Sequence, residues 1–170
     1  MNTSFASQEK DAIFKSTREY LDGLQIKIKE IDKTRPWGGF FVIDEDSLSR
    51  FIEHFFPDEK SNIQLDERVL SPKILLIQPG KRLSWQYHLR RSEIWTVAGG
   101  KVGIVRSNSD EQSEVQHYSK GDTIRLAQGE RHRLVGLDEW AIIAEIWQHT
   151  DPDHPSDEND IIRIEDDFGR

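Results

Sequence analysis

From Lys73 onward the chain is cut into short apolar runs by closely spaced turn signals, and this punctuation constrains the fold more than any other feature. Pro79-Gly80, Gly99-Gly100, Ser107 to Gln112, Gly121-Asp122 and Gly129 mark the breaks, a spacing that predicts an all-β barrel or sandwich. Trp140 to Gln148 is the longest late strand. Asp151 to Asp160 is acidic with two prolines and reads as a loop rather than core. Before Lys73 the pattern changes. Ser7 to Leu24 carries an apolar stripe of Ala12, Ile13, Phe14, Tyr20, Leu21 and Leu24, which predicts a helix N-capped by Ser7 and packed on the barrel. Gln25 to Ile31 alternates as a half-buried strand does, and Gly38-Gly39 precedes a second run, Phe40 to Ile43. Asp46 to Phe56 predicts a second helix stopped by Pro57, an insertion covering one barrel edge.

Read with period two, Arg82, Ser84, Gln86 and His88 share one strand face, and Leu83, Trp85 and Tyr87 the other. The polar face needs a polar cavity. His88 and Glu93 stand at an odd offset, so a straight strand would separate them. A hairpin turn through Leu89, Arg90, Arg91 and Ser92 brings Glu93 back beside His88. Further on, two glycine turns bracket a short apolar strand that leads to His132. Gln86, His88, Glu93 and His132 therefore form a candidate ligand set. Two imidazoles, one carboxylate and one amide oxygen suit a borderline divalent ion, zinc first, with iron, manganese and cobalt open to the same ligands. Taken singly, Gln86 reads as a hydrogen-bonded barrel amide and Glu93 as an ion-pair partner of Arg91 or Arg82; the joint spacing favours a metal.

At 170 residues the chain is large enough to bury a core as one domain without disulfides or a metal staple. It has no cysteine, which removes thiolate chemistry, and with no charged-then-apolar leader the cytoplasm is the expected compartment. No apolar run approaches the roughly 18 residues that span a bilayer, so no membrane insertion is expected. Thirty-one acids against 23 bases, a net charge of -8, argue against a nucleic-acid surface. Local patterning differs from the average. Arg82, Arg90, Arg91, Arg131 and Arg133 fall beside the candidate ligands, where guanidinium forks suit a phosphate monoester.

The glycine, the six-residue step to Gln86, the pattern ligand-x-His-x4-Glu and the later Gly-x7-Gly-x2-His resemble the paired motifs of the cupin superfamily. Within it, Gln86, "RSEIW" at Arg91 to Trp95, "RPWG" at Arg35 to Gly38 and the ending "IIRIEDDFGR" resemble the stand-alone form of the C-terminal isomerase domain of type II mannose-6-phosphate isomerases. The resemblance runs from about Lys33 to Arg170, with no counterpart for Asp44 to Leu70 or for the first thirty or so residues. It implies a double-stranded β-helix (jelly-roll) barrel with an N-terminal helix and a short helical insertion. Residues 1–32 form the N-terminal helical extension and first strand, and 33–170 the barrel with its C-terminal tail, in a single domain. Departures fall at Leu126-Ala127, where the family has Ile-Pro; at Glu145-Ile146-Trp147, where it has Glu-x-Gln; at His149 to Pro155; and at Phe168, where tyrosine is common.

The implied activity is a metal-dependent interconversion of mannose 6-phosphate and fructose 6-phosphate, with Arg82, Arg91, Arg163 and Arg170 on the sugar phosphate. Arg91 and His149 are candidates for the chemistry, and Lys81, Arg82 and Glu145 are further possibilities for the base. A sugar- or sugar-phosphate-binding cupin without turnover is the alternative. An iron-dependent oxygenase ranks third, because Gln86 replaces a histidine. Analogy with many cupins also implies a homodimer, the face of Leu83, Trp85 and Tyr87 being either a contact surface or a second packing layer.

Overall fold

The computed structural model describes residues 9–63 and 71–170. Two helices and eleven strands are formed among them: α1 (Lys10–Gly23), β1 (Ile28–Asp32), β2 (Gly38–Ile43), α2 (Leu48–Phe55), β3 (Lys73–Ile77), β4 (Trp85–Tyr87), β5 (Arg91–Gly99), β6 (Lys101–Ser107), β7 (Gln116–Ser119), β8 (Thr123–Leu126), β9 (Arg131–Gly136), β10 (Ala141–His149) and β11 (Ile162–Glu165). The strands pair antiparallel in two sheets, one ordered β1-β2-β3-β10-β5-β8 and the other β11-β4-β9-β6-β7. This is the jelly-roll barrel that the cupin resemblance implies, one of the barrel-or-sandwich forms that the turn spacing predicts.

Sidedness follows from strand alternation. On β10, Ile142, Ala144 and Ile146 face outward into a cluster with Ile13, Phe14 and Leu21 of α1 and Phe51, Ile52 and Phe55 of α2. Ala141 and Ile143 face inward to Leu75, Ile77, Val97, Val102, Ile104 and Leu134. Both faces of the larger sheet are thus buried, which explains why β10 reads as a nearly continuous apolar run. Helix α1 is held by this packing rather than by its start. Glu9 makes no side-chain cap bond, whereas full burial of an Ile, Leu or Phe side chain contributes about 1.5–3 kcal/mol. Ser7, expected as the cap, lies outside the described residues, as does the end of the insertion. Gly38 is needed where β2 meets β3: its φ is 142°, and a Cβ there would sit 1.9 Å from the Leu76 carbonyl oxygen.

Two expectations need correction. β4 and β5 do not pair as a hairpin. They belong to different sheets, and the turn between them carries the chain across the barrel. The odd offset of His88 and Glu93 is resolved because each faces the interior from its own sheet. The tail from Asp151 to Asp160 is irregular as expected, yet Ser156 and Asp160 are buried. Of the residues expected on that strand's apolar face, Trp85 is buried with its indole N–H donating to the Asp110 carbonyl (2.8 Å), Arg131 stacks 3.9 Å over a half-buried Tyr87, and Leu83 packs toward the interior. Among the described residues no helix is long and apolar enough to cross a membrane.

Candidate metal centre

His88, Glu93 and His132 arrive from three places: the end of β4, the inner face of β5 and the inner face of β9. Their ligand atoms lie within 4.8 Å of one another, and all three side chains are buried. His88 Nε2 stands 3.2 Å from Glu93 Oε1, and His132 Nε2 stands 3.7 Å from Glu93 Oε2.

The hydrogen bonds on the far side of each ring fix its tautomer. His88 Nδ1 donates to the Asp160 carbonyl at 2.6 Å, and His132 Nδ1 donates to the Glu130 carbonyl at 2.8 Å. A carbonyl can only accept, so each Nδ1 carries a proton and each ring turns its Nε2 toward Glu93. His132 Nε2 is buried without a hydrogen-bond partner. Arg91 supplies a cationic donor to Glu93 and to His88, but the His132 Nε2 lone pair faces the Glu93 carboxylate in a buried space with no donor between them, a repulsion that a cation placed there relieves. The donor set therefore fits a divalent ion, and the backbone carbonyls supply the outer contacts that orient metal-binding histidines.

Charge in the site agrees with the geometry. Burial pushes His132 down to about 4, with His88 and Arg91 acting in the same direction, so its ring is neutral at pH 7. Burial alone would raise Glu93, but the neighbouring His88, Arg91 and His132 outweigh it and hold the carboxyl below its usual range. Gln86 lies directly across from His132 in the β4–β9 register and lines the same cavity. Its amide oxygen accepts from the Ser84 hydroxyl.

The expected substrate and catalytic residues separate into groups. Arg91 is buried beneath the centre: Nε donates to Glu93 Oε1 (2.8 Å), Nη2 to His88 Nε2 (3.2 Å) and Nη1 to Ser156 Oγ (3.0 Å), and its guanidinium stacks 3.5 Å over Trp147. It holds the ligands in place. Arg163 and Arg170 line the cavity, Arg170 being held by Asp166 at 2.9 Å. Arg82 does not line it and instead grips Asp167 through Nε at 2.7 Å. His149 ends β10 and is buried outside the cavity lining, and its Nδ1 accepts from the Ser156 backbone N–H at 2.9 Å. That ring is committed to the tail.

Beside the triad the barrel opens into a cavity of about 110 Å³, room for several water-sized groups at about 10–15 Å³ each. Three contributors escaped the sequence reading or were not singled out by it. Lys73 is buried on the inner face of β3, bonded to Glu158 at 2.5 Å and stacked 3.9 Å over Trp147. The signal was available, since Lys73 shares its face with Leu75 and Ile77. Asp160 accepts from the backbone N–H of Leu89 and Arg90 and from Ser156 Oγ (2.9, 3.0 and 2.6 Å), clasping the turn that carries His88. Nothing in an acidic run announces this. Arg35, paired with Asp32 at 2.9 Å, completes the cationic wall.

A family model described as mannose-6-phosphate isomerase C-terminal matches residues 53–166, more than half of the chain. Among solved structures the chain is similar to the capsular polysaccharide assembling protein CapF from Staphylococcus aureus, with TM-score 0.53 and 18% identity over 80% of this chain and 34% of that one. It is also similar to a mutant of the oxalate decarboxylase OxdC from Bacillus subtilis, with TM-score 0.57 and 14% identity over 79% of this chain and 30% of that one. The chain spans about a third of the length of each, and at these identities the likeness is one of fold. No curated protein sequence matches it.

Proposed function

Because the chain belongs to the mannose-6-phosphate isomerase C-terminal family, we propose that it is a metal-dependent sugar-phosphate isomerase interconverting mannose 6-phosphate and fructose 6-phosphate. In this reading zinc is held by His88, Glu93 and His132, with Gln86 as a fourth donor. The observation that carries it is the partnerless, buried Nε2 of His132 facing Glu93, beside a cavity walled by Arg35, Lys73, Arg163 and Arg170. A divalent cation there supplies Lewis-acid stabilisation of charge developing on the sugar oxygens.

The chain's own residues do the rest. Arg163 has no hydrogen-bond or ion-pair partner among the described residues and lines the cavity, so its fork is free for a phosphate monoester. Arg91 fixes Glu93 and His88 through two of its nitrogen contacts, and the buried Trp95 and Trp147 exclude water from the floor. One feature favours the alternative of a sugar-phosphate-binding cupin without turnover. Trp147 places a large ring on the cavity wall, between Lys73 and Arg91. Elemental analysis followed by an isomerase assay on mannose 6-phosphate, with and without added zinc, decides between them. Zinc-dependent turnover is the expected result; full metal occupancy without turnover would establish the binding protein.

A further inference from the structure

Isomerisation needs a group that removes a carbon-bound proton, and Glu93 is committed to the ligand set. We infer that Glu145 is this group: its carboxylate carries the proton between C2 and C1 of the open-chain sugar phosphate, with the Lys73 ammonium beside the sugar oxygens. The inference rests on the isomerase reading.

Position comes first. Glu145 lies on the inner face of β10, in register with Lys73 on β3 and Trp95 on β5, one rung from the Trp147–Glu93 pair. Glu145 and Glu93 are thus cross-strand diagonal neighbours, about 7–8 Å apart in a regular antiparallel pair. Glu145 lines the cavity and is only 6% exposed.

Its partners orient it without neutralising it. Trp95 Nε1 donates to Oε2 at 3.2 Å and Trp147 Nε1 donates to Oε1 at 2.8 Å, one uncharged donor to each oxygen. Among the described residues no cationic nitrogen lies within 4.0 Å of this carboxylate, because Lys73 is drawn to Glu158 and Arg91 to Glu93. A buried carboxylate lacking a charged partner is costly to keep ionised. Burial and the nearby Glu93 push Glu145 up to about 7, in the range suited to proton transfer at neutral pH. The other carboxylates on the wall are Glu93, already bound, and Glu158, whose side chain is 70% exposed at the rim.

The step balances. The C2–H electron pair becomes the C1–C2 double bond, the carbonyl π pair moves onto O1, and Glu145 becomes the carboxylic acid. Glu145 then returns its proton to C1 as the C2 carbonyl forms, while the O2 hydroxyl proton passes to O1.

The experiment compares zinc-loaded wild type with Glu145→Gln. The variant is expected to keep its zinc content and its calorimetric affinity for fructose 6-phosphate while kcat falls by about 10²–10⁴. A variant with unchanged zinc and kcat within about tenfold of wild type overturns this inference alone. A second measurement needs no variant and stands if Glu145→Gln does not fold. Wild-type turnover in deuterated water is expected to place deuterium at C1 of the product. Complete retention of the substrate's own hydrogen would indicate a hydride shift and sink the inference. Absence of wild-type turnover overturns the isomerase reading itself.

Discussion

Along four strands the inward positions are aliphatic at one end of the barrel and polar at the other. Ile77 and Leu75 give way to Lys73 on β3, Val97 to Trp95 and Glu93 on β5, Leu134 to His132 on β9, and Ala141 and Ile143 to Glu145 and Trp147 on β10. The same backbone pairing runs through both ends, so the strands that hold the site are fixed by a core lying a few residues away. This division lets the polar end gather buried ionisable groups, each unfavourable alone, without losing the fold. A site built this way is positioned by packing it does not itself provide.

If the two ends are separable, mutations should damage one and spare the other. The largest effect on metal is expected from His132→Ala, which removes a ligand while leaving the aliphatic end intact: bound zinc by elemental analysis falls to near zero and far-ultraviolet circular dichroism is unchanged. Gln86→Ala should lower zinc less. Unchanged zinc in either variant removes that residue from the set.

Asp160→Ala comes next and tests the clasp between tail and centre. It strips the acceptor from Leu89 N–H and Arg90 N–H, a loss of about 1–3 kcal/mol for each donor left buried, and should weaken zinc binding about 10–100-fold by titration. The same residue sets an acid limit. Burial opposes ionisation of Asp160, but Ser156, Leu89 and Arg90 together hold its carboxyl below the usual range. A depressed folded value contributes stability above the unfolded one, about 3.9, and loses it as pH falls further. Denaturant unfolding should show a smaller loss below about pH 4 in Asp160→Ala than in wild type, the difference being the Asp160 share. Ile143→Ala should affect the centre least. Deleting this fully buried side chain costs about 2–5 kcal/mol in denaturant unfolding, with zinc content unchanged.

The barrel was legible because its turns are written in glycine and proline, and the burial of the three candidate ligands because spacing between turns fixes which face each residue takes. What escaped was long-range. Whether the strand after His88 stays in its sheet or crosses to the other depends on packing that no local pattern encodes, so a hairpin was expected where the chain changes sheets. Asp160 and Ser156 sit in a segment whose composition reads as solvated, and their burial arises only because the tail folds back over the turn at Leu89. His149 looked like a loop histidine near the chemistry. It is instead a strand residue whose ring anchors that tail.

The clasp also ties the centre to a distant part of the chain. The carbonyl that aims the imidazole of His88 belongs to Asp160, 72 residues further along the chain and just ahead of β11, the strand that pairs with β4, so the aim of His88 depends on the end of the chain being docked. Proteolytic nicking between Thr150 and Ser156 would leave that aim to the β11–β4 pairing and the buried contacts of Ser156 and Asp160, without the covalent link to β10.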